Sequence, residues 1–358
     1  LSADQRGYVA SIVSSIVSAI KIVLQILVVY IWKSYIAYLI VLVACTILNN
    51  LICVHEVSKI YSFDEYKGDK LAKEEKYSII RNVKAVFLYK LSGILINSTD
   101  NILVSSLVST VAVGYYANYN MIATTLKNFI GTFFGSFTAS IGNLINKESK
   151  EKSFSVFQVL QFCSFWLSGI ICLDYYLLIN DFIKIWLGSE FICEPSLLFA
   201  IALNFYLSII LQPLWSYREA TGLFMKIQKI MFICAIVNLV LSISLGMAFG
   251  TVGIIIASSI ARISTYYWYE PKLLFEEHFK QPVHPYFIAQ LSNGIFVVSI
   301  GFILQRLLSN VIVTGWITWI LKSILTTSII VIAYCIKDFR KSEMKVIEKA
   351  VKSKVFRM

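Results

Sequence analysis

Residues 8–56 read YVASIVSSIVSAIKIVLQILVVYIWKSYIAYLIVLVACTILNNLICVHE. Two apolar runs, 8–31 and 35–56, flank a short polar break at Lys33 and Ser34. A helix crosses the hydrocarbon core of a bilayer with about 20 apolar residues, so each run predicts one transmembrane helix. Outward from this pair the pattern recurs at roughly 82–110, 112–145, 154–179, 195–215, 226–248, 251–270, 286–307 and 311–336, ten candidate spans in 358 residues. Hydrophobic residues make up 58% of the chain and charged residues 15%, with a mean hydropathy of +0.73. A soluble domain carries about 25% charge and about 45–50% apolar residues. An ordinary soluble enzyme, a disordered chain and a secreted disulfide scaffold are thereby excluded. The expected fold class is all-α, a polytopic membrane protein with about ten transmembrane helices.

The net charge is +11. In a soluble protein this would point to nucleic acid. Here the basic residues fall between apolar runs, so they read as a topology signal and no nucleic-acid partner is expected. Of the 32 Lys and Arg, 24 lie in the N-terminal stub, the segments 57–81, 146–153, 216–225 and 271–285, and the tail 337–358, with their flanking turns. Three, Lys33, Lys184 and Arg306, lie on the opposite side. That bias places the stub, the 57–81 segment and the tail in the cytoplasm. The seven cysteines sit in or beside apolar runs without CxxC spacing and read as small buried hydrophobes. His55, His278 and His284 lie near span ends or in a polar loop and do not predict a zinc site. The chain opens LSADQRGY and enters its first span without the pattern of a signal peptide. It is expected to start within a longer protein.

The segment 57–81 (VSKIYSFDEYKGDKLAKEEKYSIIR) is long and densely charged, the best boundary in the chain. The segment 180–194 (NDFIKIWLGSEFICE) mixes Phe182, Ile185 and Trp186 with polar groups. It is expected to lie along the outer membrane surface as a short amphipathic piece. Tyr266, Tyr267, Trp268 and Tyr269, and Trp316 and Trp319, read as interfacial aromatic belts.

Polar residues inside spans carry the functional signal, because a buried charge there costs about 2.5–3.5 kcal/mol on insertion scales and faces protein or water. In the first span Ser11, Ser14, Ser18, Lys21 and Gln25 form one stripe at helical spacing. In the third, Lys90, Asn97 and Asn101 share a face with Asp100 on its flank. In the fourth, Tyr116, Asn120, Thr124, Lys127 and Gly131 form another polar face. Arg262 lies in the eighth. Two readings stand. Such residues also join helices without any role in transport, and Asp100 and Lys127, separated in depth by only about 5–7 Å, fit a structural pair. Alternatively, Lys21, Lys90, Lys127 and Arg262 outnumber Asp100, and together with Asn, Gln and Ser they line a water-filled cationic cavity suited to an anion bearing hydroxyls. No P-loop, GxSxG or HExxH motif is present, so ATP hydrolysis and hydrolase chemistry have no visible seat.

Several stretches resemble the Wzx-type flippases, the polysaccharide-transport branch of the multidrug/oligosaccharidyl-lipid/polysaccharide exporter superfamily. They are NSTDNILVSSLVSTVAVGYYANYNMI (97–122), WLGSEF (186–191), YREATGLF (217–224), FGTVGIIIASSIAR (249–262) and WYEPKLLF (268–275). Each motif is degenerate alone; their order and spacing along the chain make the resemblance. It implies a MATE-like fold of two bundles around a central cavity, here without its first four helices. Residues 1–56 would be the remnant of the N-terminal bundle, 57–81 the cytoplasmic linker, 82–270 the C-terminal six-helix bundle, 271–336 two extra helices with their preceding loop, and 337–358 a basic tail. It also implies a bacterial cytoplasmic-membrane transporter, not an enzyme. That transporter would flip undecaprenyl-pyrophosphate-linked oligosaccharide for surface polysaccharide synthesis, beside a polysaccharide polymerase and chain-length machinery. No cofactor is expected beyond a possible coupling ion, H+ or Na+. Lys21, Lys90, Lys127 and Arg262 would hold the pyrophosphate, Gln25, Asn97, Asn101 and Asn120 the sugar hydroxyls, and Asp100 would set local charge or carry the ion. A cation-coupled multidrug exporter of the same superfamily and a multi-span polymerase or acyltransferase are the rivals.

Overall fold

The computed structural model describes residues 7–60, 72–341 and 343–344, with the side chains of Gly7, Ser78 and Asn97 outside that description. Among the described residues there is no strand. The helices in order are α1 (Gly7–Trp32), α2 (Tyr35–Ile60), α3 (Lys73–Leu107), α4 (Thr110–Gly135), α5 (Thr138–Lys147), α6 (Lys150–Trp186), α7 (Pro195–Ile210), α8 (Gln212–Thr221), α9 (Phe224–Ser264), α10 (Tyr266–Leu274), α11 (His284–Leu308) and α12 (Trp316–Asp338). Among the described residues, six helical runs are long and apolar enough to cross a membrane, and seven when α7 and α8, bent by 41°, count as one span. The chain is an all-α polytopic membrane protein.

Two compact units divide the chain, Leu1–Ser78 and Ile79–Met358. In the first, α1 and α2 pack against each other across a turn at Lys33, whose φ of 46° is left-handed. α2 extends to Ile60 and α3 begins at Lys73, so both helices reach into the segment read as a linker. Residues 61–71 lie outside the described residues, as do Arg6 and the tail from Lys345 onward.

Within the second unit, the bend between α7 and α8 and the break between α4 and α5 depart from the expected spans, while the turn at 249–250 falls where it was expected. Pro213, in the first turn of α8, has no N–H to give the Ile209 carbonyl and its ring crowds that group. The bend between α7 and α8 follows, and α6 repairs the lost bonds: Ser164 Oγ donates to Ile209 O (3.1 Å) and Gln161 Nε2 to Ile210 O (3.2 Å). The run α9 folds back on itself at Gly250 (φ 60°, ψ −140°), a conformation open to glycine. Asn238 Nδ2 and Ser258 Oγ, twenty residues apart, are only 2.8 Å from each other, which a straight helix rising about 1.5 Å per residue forbids. The span expected at 112–145 is broken at Ser136 and Phe137 into α4 and α5.

Two expected surface pieces are helical. α6 continues unbroken to Trp186, so the first half of 180–194 is the end of a long helix; a single 3-10 turn follows at Ser189–Phe191. Phe182 is anchored there, its ring 5.6 Å from that of Trp316 and 5.4 Å from that of Trp319. The connection expected at 271–285 is largely α10 and a π-helical turn at Phe275–Phe279. Phe275 and Phe279 hold it in place by burying their rings against Phe154 and Phe157.

α12 is bound to α6 by a ladder of polar rungs. Trp166 Nε1 donates to Asp338 Oδ2 (2.8 Å), Tyr334 to Phe165 O (3.0 Å), Thr327 to Asp174 (2.7 Å) and Lys322 to Asp181 (2.8 Å). Polar groups that would otherwise face hydrocarbon join helices this way.

Candidate functional site

α3 and α4 are 35 and 26 residues long, enough to cross a bilayer, yet neither is apolar enough to count by composition. Their polar residues do not lie at the ends. On α4, Tyr116, Asn120, Thr124, Lys127 and Gly131 recur at steps of three or four and so share one face. That face, with α3, α7, α8, α9 and α10, lines two open chambers of the second unit. One, of about 220 Å³, is lined by Asp100, Tyr116, Asn120, Thr124, Asn204 and Arg262 among others. The other, of about 550 Å³, is lined by Tyr89, Gln212, Trp215, Arg218 and Tyr266 among others. Lys127, Ser208 and Arg262 line both, so cationic groups stand where the chambers meet.

Hydrogen bonds fix several of the polar groups in the lining. Arg262 Nη1 donates to Ser208 Oγ (2.6 Å), and Ser208 Oγ donates to Asn204 O (2.8 Å). Asn204 Nδ2 ties α7 to the second arm of α9 through Ile255 O (2.6 Å). Asp100 is buried and accepts from Ser258 Oγ (3.2 Å), which itself accepts from Asn238 Nδ2 (2.8 Å). Lys127, half-buried, has no ion pair or hydrogen bond among the described residues. Asp100 and Lys127 therefore share a chamber without forming the salt bridge that a structural pair would show.

At the far end of the larger chamber, Arg218 Nη1 meets Glu270 Oε1 at 2.7 Å, with the side chains only 4% and 1% exposed. The guanidinium lies 4.7 Å from the Tyr89 ring centroid and 5.6 Å from that of Trp215. Its charge is matched by Glu270 and its faces are covered by rings, so it is a fixed wall.

The residues singled out in the sequence separate into three groups. Asp100, Asn120, Lys127 and Arg262 come together in the chambers. Lys90 and Asn101 are exposed and line neither chamber, and the Asn97 side chain lies outside the described residues. Lys21 and Gln25 belong to α1 of the first unit; the chambers described here are built from the second unit alone. On α3 it is the flanking Asp100, not the stripe of Lys90 and Asn101, that turns inward. Tyr266, read as belt, is buried in the chamber wall. Sequence reading missed Asn204, Ser208 and Gln212, although four-residue spacing of polar groups in an apolar run was the available signal. It also left Arg218 among the cytoplasmic charges. No protein-family model, no curated protein and no solved structure matches the chain.

Proposed function

We propose that the chain is part of a transporter that moves a phosphorylated sugar-lipid, undecaprenyl-pyrophosphate-linked oligosaccharide, across the bacterial cytoplasmic membrane. It would do so in the manner of the Wzx-type flippases, with a MATE-like alternation of two bundles. The observation that carries the reading is the junction of the two chambers, where Lys127 makes no ion pair among the described residues and Arg262 lines the same shared wall. Cations in a site of low dielectric attract a pyrophosphate strongly. Asn120 and Thr124 on the α4 face, with Asn204 opposite, offer hydroxyl-binding groups beside that junction. Asp100, braced by Ser258 and Asn238, sets the local charge or carries a coupling ion, H+ or Na+. The lipid tail stays in the bilayer between helices. Transport needs no covalent step, only exposure of the site to each side in turn.

Lys127→Ala in the full-length protein should abolish export of surface polysaccharide, and Lys127→Arg should retain most of it. Normal surface polysaccharide in the alanine variant would overturn the reading. A multidrug exporter of organic cations would favour a chamber dominated by carboxylates, whereas Asp100 is the one carboxylate lining either chamber among the described residues.

A further inference from the structure

The larger chamber differs in chemistry from the smaller one. Its walls carry three large rings, Tyr89, Trp215 and Tyr266, and four neutral polar side chains, Asn128, Thr132, Ser208 and Gln212. Its volume of about 550 Å³ falls within the usual range for a small-molecule site, about 300–1,000 Å³. Arg218 is committed to Glu270, so the charge at that end is already neutralised. Gln212 Nε2 donates to Ser208 O (3.3 Å), while no described group donates to Gln212 Oε1. Opposite it stands Gly131, where an added Cβ would lie 3.6 Å from that oxygen, an ordinary contact. The glycine is therefore not required by packing, and a side chain larger than alanine there would press on the amide and into the chamber.

Rings and neutral amides are poor ligands for a phosphate. They suit a sugar, whose ring has apolar C–H faces that lie on aromatic surfaces and hydroxyls that pair with amides. Position agrees with chemistry. Lys127 and Gly131 are one turn apart on α4, about 6 Å along the helix axis, and a sugar bonded directly to a phosphate places its ring about that far from the charge. We propose that the larger chamber is a glycan subsite in which Trp215 is the stacking surface and Gln212 the hydroxyl-reading group, immediately beside the cationic junction that takes the phosphate. This rests on the transport reading above and deepens it: the sugar nearest the phosphate would be selected here, within the second unit.

The test uses the purified full-length protein in lipid nanodiscs with two probes, undecaprenyl pyrophosphate and undecaprenyl-pyrophosphate-N-acetylglucosamine. The wild type should bind the glycosylated probe tighter by about tenfold or more, the scale of a lost pocket contact. Trp215→Leu and, independently, Gly131→Leu, which fills the chamber without removing any packing group, should each erase that difference and leave the bare lipid's affinity unchanged. Lys127→Ala should weaken both probes alike. A wild type that does not distinguish the probes, or Trp215 and Gly131 variants that weaken both equally, would overturn the glycan subsite while leaving the cationic site standing. A wild type that binds neither probe would overturn the transport reading, and the subsite with it.

Discussion

Arg218 and Glu270 form a buried ion pair between α8 and α10, one that constrains the chamber more than any single apolar contact can. Taking two charges out of water is costly, and removing one partner leaves the other uncompensated, at about 3–5 kcal/mol. Glu270→Ala should lower stability by that order, read as a clear fall in the thermal unfolding midpoint of the detergent-solubilised protein. The double variant Arg218→Met with Glu270→Leu should recover most of the loss, because a well-packed apolar pair avoids the desolvation cost. Equal loss in the single and double variants would show that the pair's role lies in hydrogen-bond geometry that apolar groups cannot replace. Residue by residue, sequence spacing identified polar stripes correctly but not their direction. Asp100 and Asn101 are about 100° apart on a helix, and α3 turns only Asp100 into the chamber. Spacing alone carries no reference to the neighbouring helices that decide which stripe is covered. Arg218 was illegible for a related reason: its partner is 52 residues away in sequence, and nothing local pairs them.

Helix by helix, the turn at Gly250 depends on close approach between the two arms of α9. A Cβ on Gly253 would run into the Leu245 carbonyl oxygen, part of the backbone and unable to move aside. Gly253→Ala should therefore open the hairpin and separate Asn238 from Ser258, with strongly reduced yield of folded protein. Gly142→Ala on α5, where an added Cβ meets nothing within 4 Å, should be neutral or stabilising by about 0.5–1 kcal/mol. Size-exclusion profiles of the two variants side by side check the contrast; indistinguishable behaviour would contradict the hairpin's tight packing. This turn was readable at 249–250, because glycine punctuates an otherwise continuous apolar run. The bend at Pro213 and the helical course of 271–279 were not read. The first depends on α6 side chains that cap the freed carbonyls. The second depends on Phe275 and Phe279 burying their rings in a tertiary cluster, which overrides the local look of a charged loop.

In the second unit apolar side chains fill the core and also cover much of the outer surface, while a set of polar ones is buried among the helices. Ile317, Ile336 and Phe302 are 77%, 75% and 61% exposed, while Asp100, Asn238, Ser258, Arg218 and Glu270 are buried. Hydrocarbon is the solvent such a surface fits. That much follows from hydropathy. The division of labour inside the second unit does not, since it requires knowing which stripes converge. Lys127 and Arg262 converge at the meeting point of the two chambers, and on that convergence the proposed transport of a phosphorylated sugar-lipid rests.

The most direct measurement is leaflet translocation in proteoliposomes. Full-length protein is reconstituted with fluorescent undecaprenyl-pyrophosphate-linked sugar in the inner leaflet, and its arrival outside is followed by an impermeant quencher. Wild type should move the lipid without covalent change, and Lys127→Ala should reduce the rate to that of protein-free vesicles. Equal rates for wild type and Lys127→Ala, or conversion of the lipid to a longer glycan, would contradict it.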